Sequence, residues 1–285
     1  MISIATTQIM VSMEPSRGGK VTSLLHRTSG REWLEASDGP LEGPVDPDAV
    51  FDDGDMCGWD EMMPTIGSCR YPGTELELAD HGELWRRSWD VTARDDTSVT
   101  TSVRDEVLDY RLERTMRVKD SSLRVEYRVT NESNVERALL WAAHPLFAHR
   151  PGTRIVLDGV HFDLLKDEHG TPIGPWPEDG LCLDDLATHR SQKLFVRVRC
   201  ASANASLVDA DGTRLTMRWA RSDAPFVGIW LDNCSLSRHP VVALEPTNAR
   251  HDALDGALKA GDLDGSWVVG RGRNREWRVD VELGA

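Results

Sequence analysis

Two segments, one containing a histidine and the other a glutamate, have the residue types that acid–base chemistry requires. His144 stands in "RALLWAAHPLFAHR", after an apolar run that predicts a fully buried strand, and Pro145 should end that strand. A histidine at the mouth of a buried strand can donate a proton from a partly desolvated position. A core histidine whose ring nitrogens are satisfied by backbone groups fits the same pattern.

Glu245 ends the apolar segment "HPVVALEP", again directly before a proline. It has no Lys or Arg next to it in sequence, so burial should raise the pKa of its carboxyl, as suits a general base working near neutral pH. The alternative is a structural carboxylate that pairs with a distant arginine.

The segment "LADHGELWRR" packs two acids, a histidine and a glycine into a short stretch. His81-Gly82-Glu83 matches the H-x-E of zinc deaminases, but the downstream P-C-x-x-C and the ligand cysteines are absent, and the second histidine of a jelly-roll metal site is missing too. We therefore predict no metal. As a structural turn, the segment would use Asp80 to cap backbone amides and Gly82 at positive φ.

A third cluster, Trp59-Asp60-Glu61 in "CGWDEMMPT", lies in a long stretch rich in Gly, Pro and Asp. Its polar groups would hold sugar hydroxyls or, as loop residues, be solvated. Taken together, a His and a Glu at two strand ends, with acids, tryptophan and a second histidine on loops, indicate an acid/base pair inside a pocket that binds hydroxyl groups.

The elements that would position these residues are β-strands, because alternation of apolar and polar residues recurs along the chain. In "YRLERTMRVKDSSLRVEYRVTN" it predicts an antiparallel hairpin that turns at residues 120–122 and has one wet face. Similar strands are predicted in "RSWDVTARDD", "TSVTTSVRDE", "KLFVRVRC", "TRLTMRWA" and "EWRVDVELG". Residues 251–261 are the best helix candidate, and 35–73 and 166–192 are predicted to be irregular loops. The fold class is all-β, a single large antiparallel sandwich spanning 1–285.

Composition narrows the classes of partner. Acidic residues outnumber basic ones by 47 to 33, for a net charge of −14, which disfavours nucleic acid. No leader or membrane span is visible, so a cytoplasmic protein without a membrane partner is expected. The five scattered cysteines predict reduced thiols. Ten tryptophans, against five phenylalanines and three tyrosines, suit either a large β core or contacts with sugar rings.

The chain resembles the aldose 1-epimerase, or galactose mutarotase-like, family. The resemblance runs through "PSRGGKVTSLLHRTSGREWL", "GWDEMMPT", "DHGELWRRSWDV", "VEYRVTNESNVERALLWAAHPLF", "VVALEPTNA" and "REWRVDVEL", in that order. It implies a β-supersandwich and a small sugar as substrate, with no cofactor. His144 would be the acid that protonates the ring oxygen, Glu245 the base that takes the anomeric proton, and His81 a second substrate-binding histidine.

Further substrate contacts follow from the same resemblance. Arg70 lies roughly where the family keeps a substrate-binding arginine, and the family's hydroxyl-binding aspartate has only Asp185 and Asp232 as candidates. Acidic and aromatic side chains would add hydroxyl contacts and stacking. The candidates for this role are Asp60, Glu83, Trp85 and Trp230.

Three alternatives stay open at this point. A mutarotase for phosphorylated or other anionic sugars would need a cationic subsite, which Arg70, Arg86 and Arg87 could provide. A non-catalytic sugar-binding protein would keep the pocket without needing the His–Glu pair. A metal-dependent β-sandwich enzyme is the third. The predicted assembly is a monomer or homodimer.

Overall fold

Extended strands make up most of the chain in the computed structural model, which describes residues 1–39, 41, 43–46, 48–51, 56–157, 162–165 and 172–284. Parts of both predicted irregular loops lie outside the described residues.

The first twelve strands are β1 (Ile2–Ala5), β2 (Ile9–Glu14), β3 (Lys20–His26), β4 (Arg31–Glu32), β5 (Trp59–Met62), β6 (Cys69–Arg70), β7 (Glu77–Leu78), β8 (Asp90–Arg94), β9 (Ser98–Asp105), β10 (Tyr110–Lys119), β11 (Ser122–Asn131) and β12 (Arg137–Ala138). The others are β13 (Ala142–Ala148), β14 (Arg154–Leu157), β15 (Phe162–Leu165), β16 (Pro172–Pro175), β17 (Leu181–Cys182), β18 (Arg190–Val198), β19 (Ser202–Val208), β20 (Arg214–Ala220), β21 (Phe226–Asn233), β22 (Val241–Thr247), β23 (Val268–Val269) and β24 (Asn274–Gly284). Short 3₁₀ helices lie at Leu84–Arg86, Leu183–Asp185 and Gly265–Trp267.

Two large antiparallel sheets contain most of these strands. The first has 11 strands in the order β1-β2-β3-β5-β13-β22-β21-β18-β15-β16, with β4 paired to β3. The second has nine, in the order β17-β14-β19-β20-β24-β11-β10-β9-β8. One cluster of buried apolar side chains draws on both sheets, including Ile229 and Leu244 from the first and Val125 and Val279 from the second. The predicted all-β sandwich is confirmed.

The predicted hairpin is β10–β11, whose strands pair in continuous register from Tyr110↔Asn131 to Lys119↔Ser122. Alternate residues of β11 are buried, so one face of the hairpin lines the core and the other meets solvent. Asp120, in the turn, has a φ of +52°. The hairpin is confirmed because its signal is local: alternation within each strand and a polar turn between them.

The predicted helix forms as α1 (Leu254–Ala260), ending at Gly261 with a φ of +68°. It starts three residues later than the prediction of 251 because the chain before it is used elsewhere. The carbonyl of Asp252 accepts hydrogen bonds from the backbone N–H groups of Ile66 and Gly67. No helix among the described residues is long and apolar enough to cross a membrane.

The prediction of an irregular loop over 35–73 is wrong for 59–62, which form β5, a fully buried strand between β3 and β13, and for the short strand β6. The prediction over 166–192 is likewise wrong for β16, β17 and the start of β18. Each of the two carboxylates of β5 has a buried cation. Asp60 pairs with Lys20 at 2.5 Å. Glu61, which is fully buried, pairs with Arg114 at 3.2 Å and accepts hydrogen bonds from the Tyr127 hydroxyl and the Trp141 indole. The polar sequence of β5 therefore belongs to the interior.

Candidate functional site

His144 and Glu245 lie on adjacent strands at the centre of the first sheet. The β13–β22 register joins Ala142 to Thr247 and Leu146 to Ala243, which sets Glu245 directly opposite His144. Side chains directly opposite one another in an antiparallel pair share a face of the sheet.

The prediction that Pro145 and Pro246 end these strands is wrong, because both prolines lie inside them. In this fully described stretch the pairing between β13 and β22 is interrupted between the Ala142 and Leu146 positions. Proline has no N–H to give to the ladder, and the neighbouring strands β5 and β21 keep each strand paired on its other side. The His144 and Glu245 pair thus lies where the central ladder is open.

Both side chains are buried, and their polar ends lie close to each other. Nε2 of His144 lies 3.8 Å from Oε1 of Glu245. Nδ1 of His144 and Oε1 of Glu245 have no hydrogen-bond partner among the described residues. Buried polar atoms in native proteins are normally satisfied, so this pair has the capacity to bind the polar groups of a ligand.

Burial shifts the pKa values of the two groups in opposite directions. It raises the pKa of the Glu245 carboxyl, an effect that the Lys193 ammonium opposes. Burial also lowers the pKa of His144 well below the ordinary histidine range, and the positive charges of neighbouring groups add to that effect. A base made stronger and an acid made stronger suit a reaction that transfers protons reversibly.

His81 lies beside this pair on the turn between β7 and the first 3₁₀ helix. Its ring centroid is 5.2 Å from that of His144, and its Nδ1 donates to the Asp80 carboxylate over 2.6 Å. Phe51 stacks on the ring at 3.7 Å with an interplanar angle of 6°. The ring is held from one edge and one face, which leaves Nε2 as the nitrogen available to a ligand.

The turn itself differs in detail from the prediction. His81 has a φ of +59°, and the expected positive φ of Gly82 is observed at +68°. A Cβ on Gly82 would lie 2.0 Å from the carbonyl oxygen of Met63, so this glycine allows the turn to pack closely against the Met63 backbone. The Asp80 carboxylate binds the ring of His81 instead of capping backbone amides.

These groups surround a cavity of about 220 Å³. Its polar side chains are two histidines, three acids and one lysine, and its other walls are apolar. The lining residues are Phe51, Met56, Met62, Ile66, Gly67, Asp80, His81, His144, Lys193, Trp230, Leu236, Glu245 and Asp252. Of the site residues predicted from sequence, the cavity brings together His81, His144, Trp230 and Glu245.

Lys193 and Asp252 were missed by sequence reasoning. Lys193 opens the predicted strand "KLFVRVRC" and forms an ion pair with Glu245, and its Nζ lies 3.7 Å from Asp252. Glu245 has no basic neighbour along the sequence, and its partner in space is this distant lysine rather than the distant arginine of the alternative interpretation. Lys193 could have been found only by predicting the order of the strands, in which β18 lies two positions from β22.

Four predicted contact residues lie outside the cavity lining. Asp60 sits opposite His144 in the β5–β13 register, buried against Lys20. Glu83 binds Arg86, and the ring of Trp85 is nearly perpendicular to that of Phe51, with 5.2 Å between their centroids. The fourth residue is Arg70.

The predicted cationic residues also lie away from the cavity lining. Arg70, whose side chain is 56% exposed, pairs with Glu75 and Glu77. Arg86 and Arg87 are engaged by Glu83 and Glu106.

Neither aspartate candidate lines the cavity. Asp185 is exposed on the second 3₁₀ helix. Asp232 is fully buried and accepts hydrogen bonds from the backbone N–H groups of Ser235, Leu236 and Ser237. It shapes the loop from which Leu236 reaches the cavity.

Solved structures with the same fold include a galactose mutarotase related enzyme from Lactobacillus acidophilus, at a TM-score of 0.77 and 17% identity over 100% of this chain and 97% of that one. A galactose mutarotase-like protein from Lactobacillus casei matches at 0.74 and 18% identity over 100% of both chains. A galactose mutarotase-like protein from Clostridium acetobutylicum matches at 0.72 and 15% identity over 99% of this chain and 94% of that one. No protein-family model and no curated protein matches the sequence significantly. The galactose mutarotase-like fold expected from the sequence is thereby confirmed.

Proposed function

We propose that the protein is an aldose 1-epimerase, which interconverts the α and β anomers of a sugar by acid/base opening of its ring. The observation that carries the proposal is the buried His144–Glu245 pair, set opposite each other across β13 and β22 on the wall of a small cavity. One acid and one base within a few ångströms are what opening a hemiacetal requires.

The reaction follows from these two groups. Glu245 takes the proton of the anomeric hydroxyl while His144 gives a proton to the ring oxygen, and the C1–ring oxygen bond breaks to give an aldehyde. After rotation about C1–C2, His144 takes back the proton of the ring hydroxyl as its oxygen attacks the other face of C1, and protonated Glu245 returns its proton to O1. The roles reverse between the two steps, so acidities that approach each other serve both directions.

The remaining cavity groups fit a sugar ligand. Trp230 gives an apolar ring edge and face to stack on a pyranose, and His81 and Asp252 face the same cavity. With three acids against one lysine, the lining disfavours a phosphorylated sugar, and Arg70, Arg86 and Arg87 are bound to other acids outside it. Neutral aldoses are therefore the proposed substrates.

Replacing His144 with Ala should lower the rate of anomer exchange about a hundredfold, since the ring oxygen then has no positioned proton donor. The loss should be smaller than for replacement of Glu245, because His81, whose ring is centred only 5.2 Å from that of His144, remains in the cavity as a second proton donor. Polarimetry of a freshly dissolved α-aldose, compared with buffer and with wild-type protein, measures the effect.

The matched control is His239→Ala, because His239 is 57% exposed and contacts Asp38 outside the cavity. It should keep the wild-type rate. Equal activity of His144→Ala and wild type would remove His144 from the proposed chemistry.

The activity should have a bell-shaped and narrow dependence on pH. On acidification, activity falls when Glu245 becomes protonated. Because the pKa of Glu245 is raised, this happens at a higher pH than for an ordinary glutamate. As pH rises, activity falls when His144 loses the proton that it donates. Because the pKa of His144 is lowered, this happens at a lower pH than for an ordinary histidine. The two apparent pKa values in this profile belong to the coupled His144–Glu245 pair and not to either residue alone. They are measured as kcat/KM for anomer exchange against pH, and a flat profile would contradict the assignment.

A further inference from the structure

Lys193 reaches Glu245 across an intervening strand. Lys193 lies on β18 and Glu245 on β22, and β21 runs between them in the sheet. The ammonium and the carboxylate nevertheless form an ion pair, and Lys193 lines the cavity with a side chain that is 25% exposed. An ion pair that spans two strand spacings needs free space above the middle strand.

Gly228 provides that space. It is opposite Glu245 in the β21–β22 register and opposite Phe195 in the β18–β21 register. A Cβ at this position would lie 2.8 Å from Oε2 of Glu245 and 3.3 Å from Cε of Lys193. Any larger residue would therefore press on the ion pair, which gives this glycine a spatial role.

The charges around Glu245 come from four directions. His144 faces it from β13 and Lys193 from β18, while Asp252 approaches from the segment after β22 and His81, with Asp80, from the turn after β7. β21 contributes Trp230 and Gly228, which carry no charge. Lys20 and Asp60 pair with each other on β3 and β5, on the far side of His144. Within the cavity lining, Lys193 is the cation in direct contact with the carboxylate.

Resting on the proposed function, we propose that Lys193, passing over Gly228, is the positioning residue that keeps the Glu245 carboxylate ionised and directed at the anomeric hydroxyl. A carboxylate as buried as Glu245 would otherwise take up a proton and cease to be a base. The ion pair through Oε2 leaves Oε1 facing His144 and free to accept the substrate proton.

Lys193→Met tests the proposal because it removes the charge and keeps an unbranched apolar stem. The acid limb of kcat/KM should move to higher pH by about one unit or more, as expected for loss of an adjacent opposite charge. The rate should therefore fall at least about tenfold on that limb and recover as pH rises. Lys193→Arg, which keeps the charge, should restore the wild-type position of the limb in part.

Lys259→Met is the matched control, because Lys259 is 77% exposed on α1 and pairs with Asp255 away from the cavity. It should leave the pH profile unchanged.

Gly228→Ala is a second, independent variant that leaves the charge in place and displaces the carboxylate. It should lower kcat about tenfold or more with little change in KM, since a misplaced base affects the transition state rather than binding.

A second readout does not depend on activity. Carbon-13 NMR of protein labelled at the glutamate carboxyl, with the Glu245 signal assigned by its loss in Glu245→Gln, follows the titration of this group directly. Its pKa should be higher in Lys193→Met than in wild type. An unchanged pKa of Glu245 would overturn the role of Lys193, even if anomer exchange is observed. If the wild-type protein fails to exchange any anomer, the proposed function falls, and the titration still decides whether Lys193 controls the carboxylate.

Discussion

Replacing Glu245 with Gln should lower the rate of anomer exchange about a thousandfold, within the range for loss of a positioned general base. The amide cannot accept the anomeric proton, and no other cavity acid is in its place. Asp80 is bound to His81, and Asp252 lies 3.7 Å from the Lys193 ammonium. Glutamine has nearly the same shape and can still accept a hydrogen bond from Lys193, so the variant should fold. The rate is measured by polarimetry or by NMR, at saturating sugar where solubility allows.

Glu75→Gln is the control for this substitution, since Glu75 is 89% exposed and pairs only with the exposed Arg70 in the described structure. It should retain the wild-type rate. If Glu245→Gln exchanged anomers as fast as Glu75→Gln, Glu245 would not be the base.

Replacing Arg114 with Met should lower the free energy of unfolding by about 3–5 kcal/mol, the typical cost of leaving one partner of a buried ion pair without the other. Arg114 and Glu61 are 1% and 0% exposed, at 3.2 Å from each other. The guanidinium also donates to the Gly19 carbonyl and lies over the Trp89 ring at 4.6 Å. Its loss removes the link between β10 of one sheet and β5 of the other. Denaturation by urea, followed by tryptophan fluorescence, gives the difference.

The loss should shrink as pH falls. Burial raises the pKa of Glu61, and the Arg114 charge opposes that rise. Without Arg114 the pKa rises further, so the folded state takes up a proton at a pH where the unfolded state has not, and acidification favours folding of the variant. The matched control is Arg117→Met on the same strand, a residue that is 53% exposed and paired with Glu126. It should change stability by no more than about 1 kcal/mol. An equal loss in both variants would contradict the structural role of the buried pair.

The fold could be predicted from sequence because its signals are local. Alternation of buried and exposed residues in β10 and β11, with Asp120 in the turn between them, is visible within a short segment. β5 could not be found in this way, since Asp60 and Glu61 read as loop residues. The cations that allow their burial are 40 and 53 residues away along the chain. Long-range pairing therefore overrode the local polarity.

The same distinction applies to the site. His144, Glu245 and His81 were predicted by their residue types, by neighbouring apolar runs and by the family resemblance. Lys193 is 52 residues from Glu245, and its role depends on sheet order and on the missing side chain of Gly228. Arg70 was an expected contact from its place in the sequence, but in the structure it pairs with two glutamates outside the cavity lining. Residue types can identify acid/base candidates, while their electrostatic neighbours emerge only from register.

The most direct measurement is two-dimensional NMR exchange spectroscopy on neutral, phosphorylated and acidic aldoses at anomeric equilibrium, with wild-type protein, with Glu245→Gln and with buffer alone. We expect cross-peaks between the anomeric protons of the α and β forms of a neutral aldose to grow with wild-type protein. They should remain at the buffer level with Glu245→Gln. A wild-type protein that accelerates exchange of none of these sugars, even one that it binds, would contradict the epimerase function and leave a sugar-binding protein on the same fold.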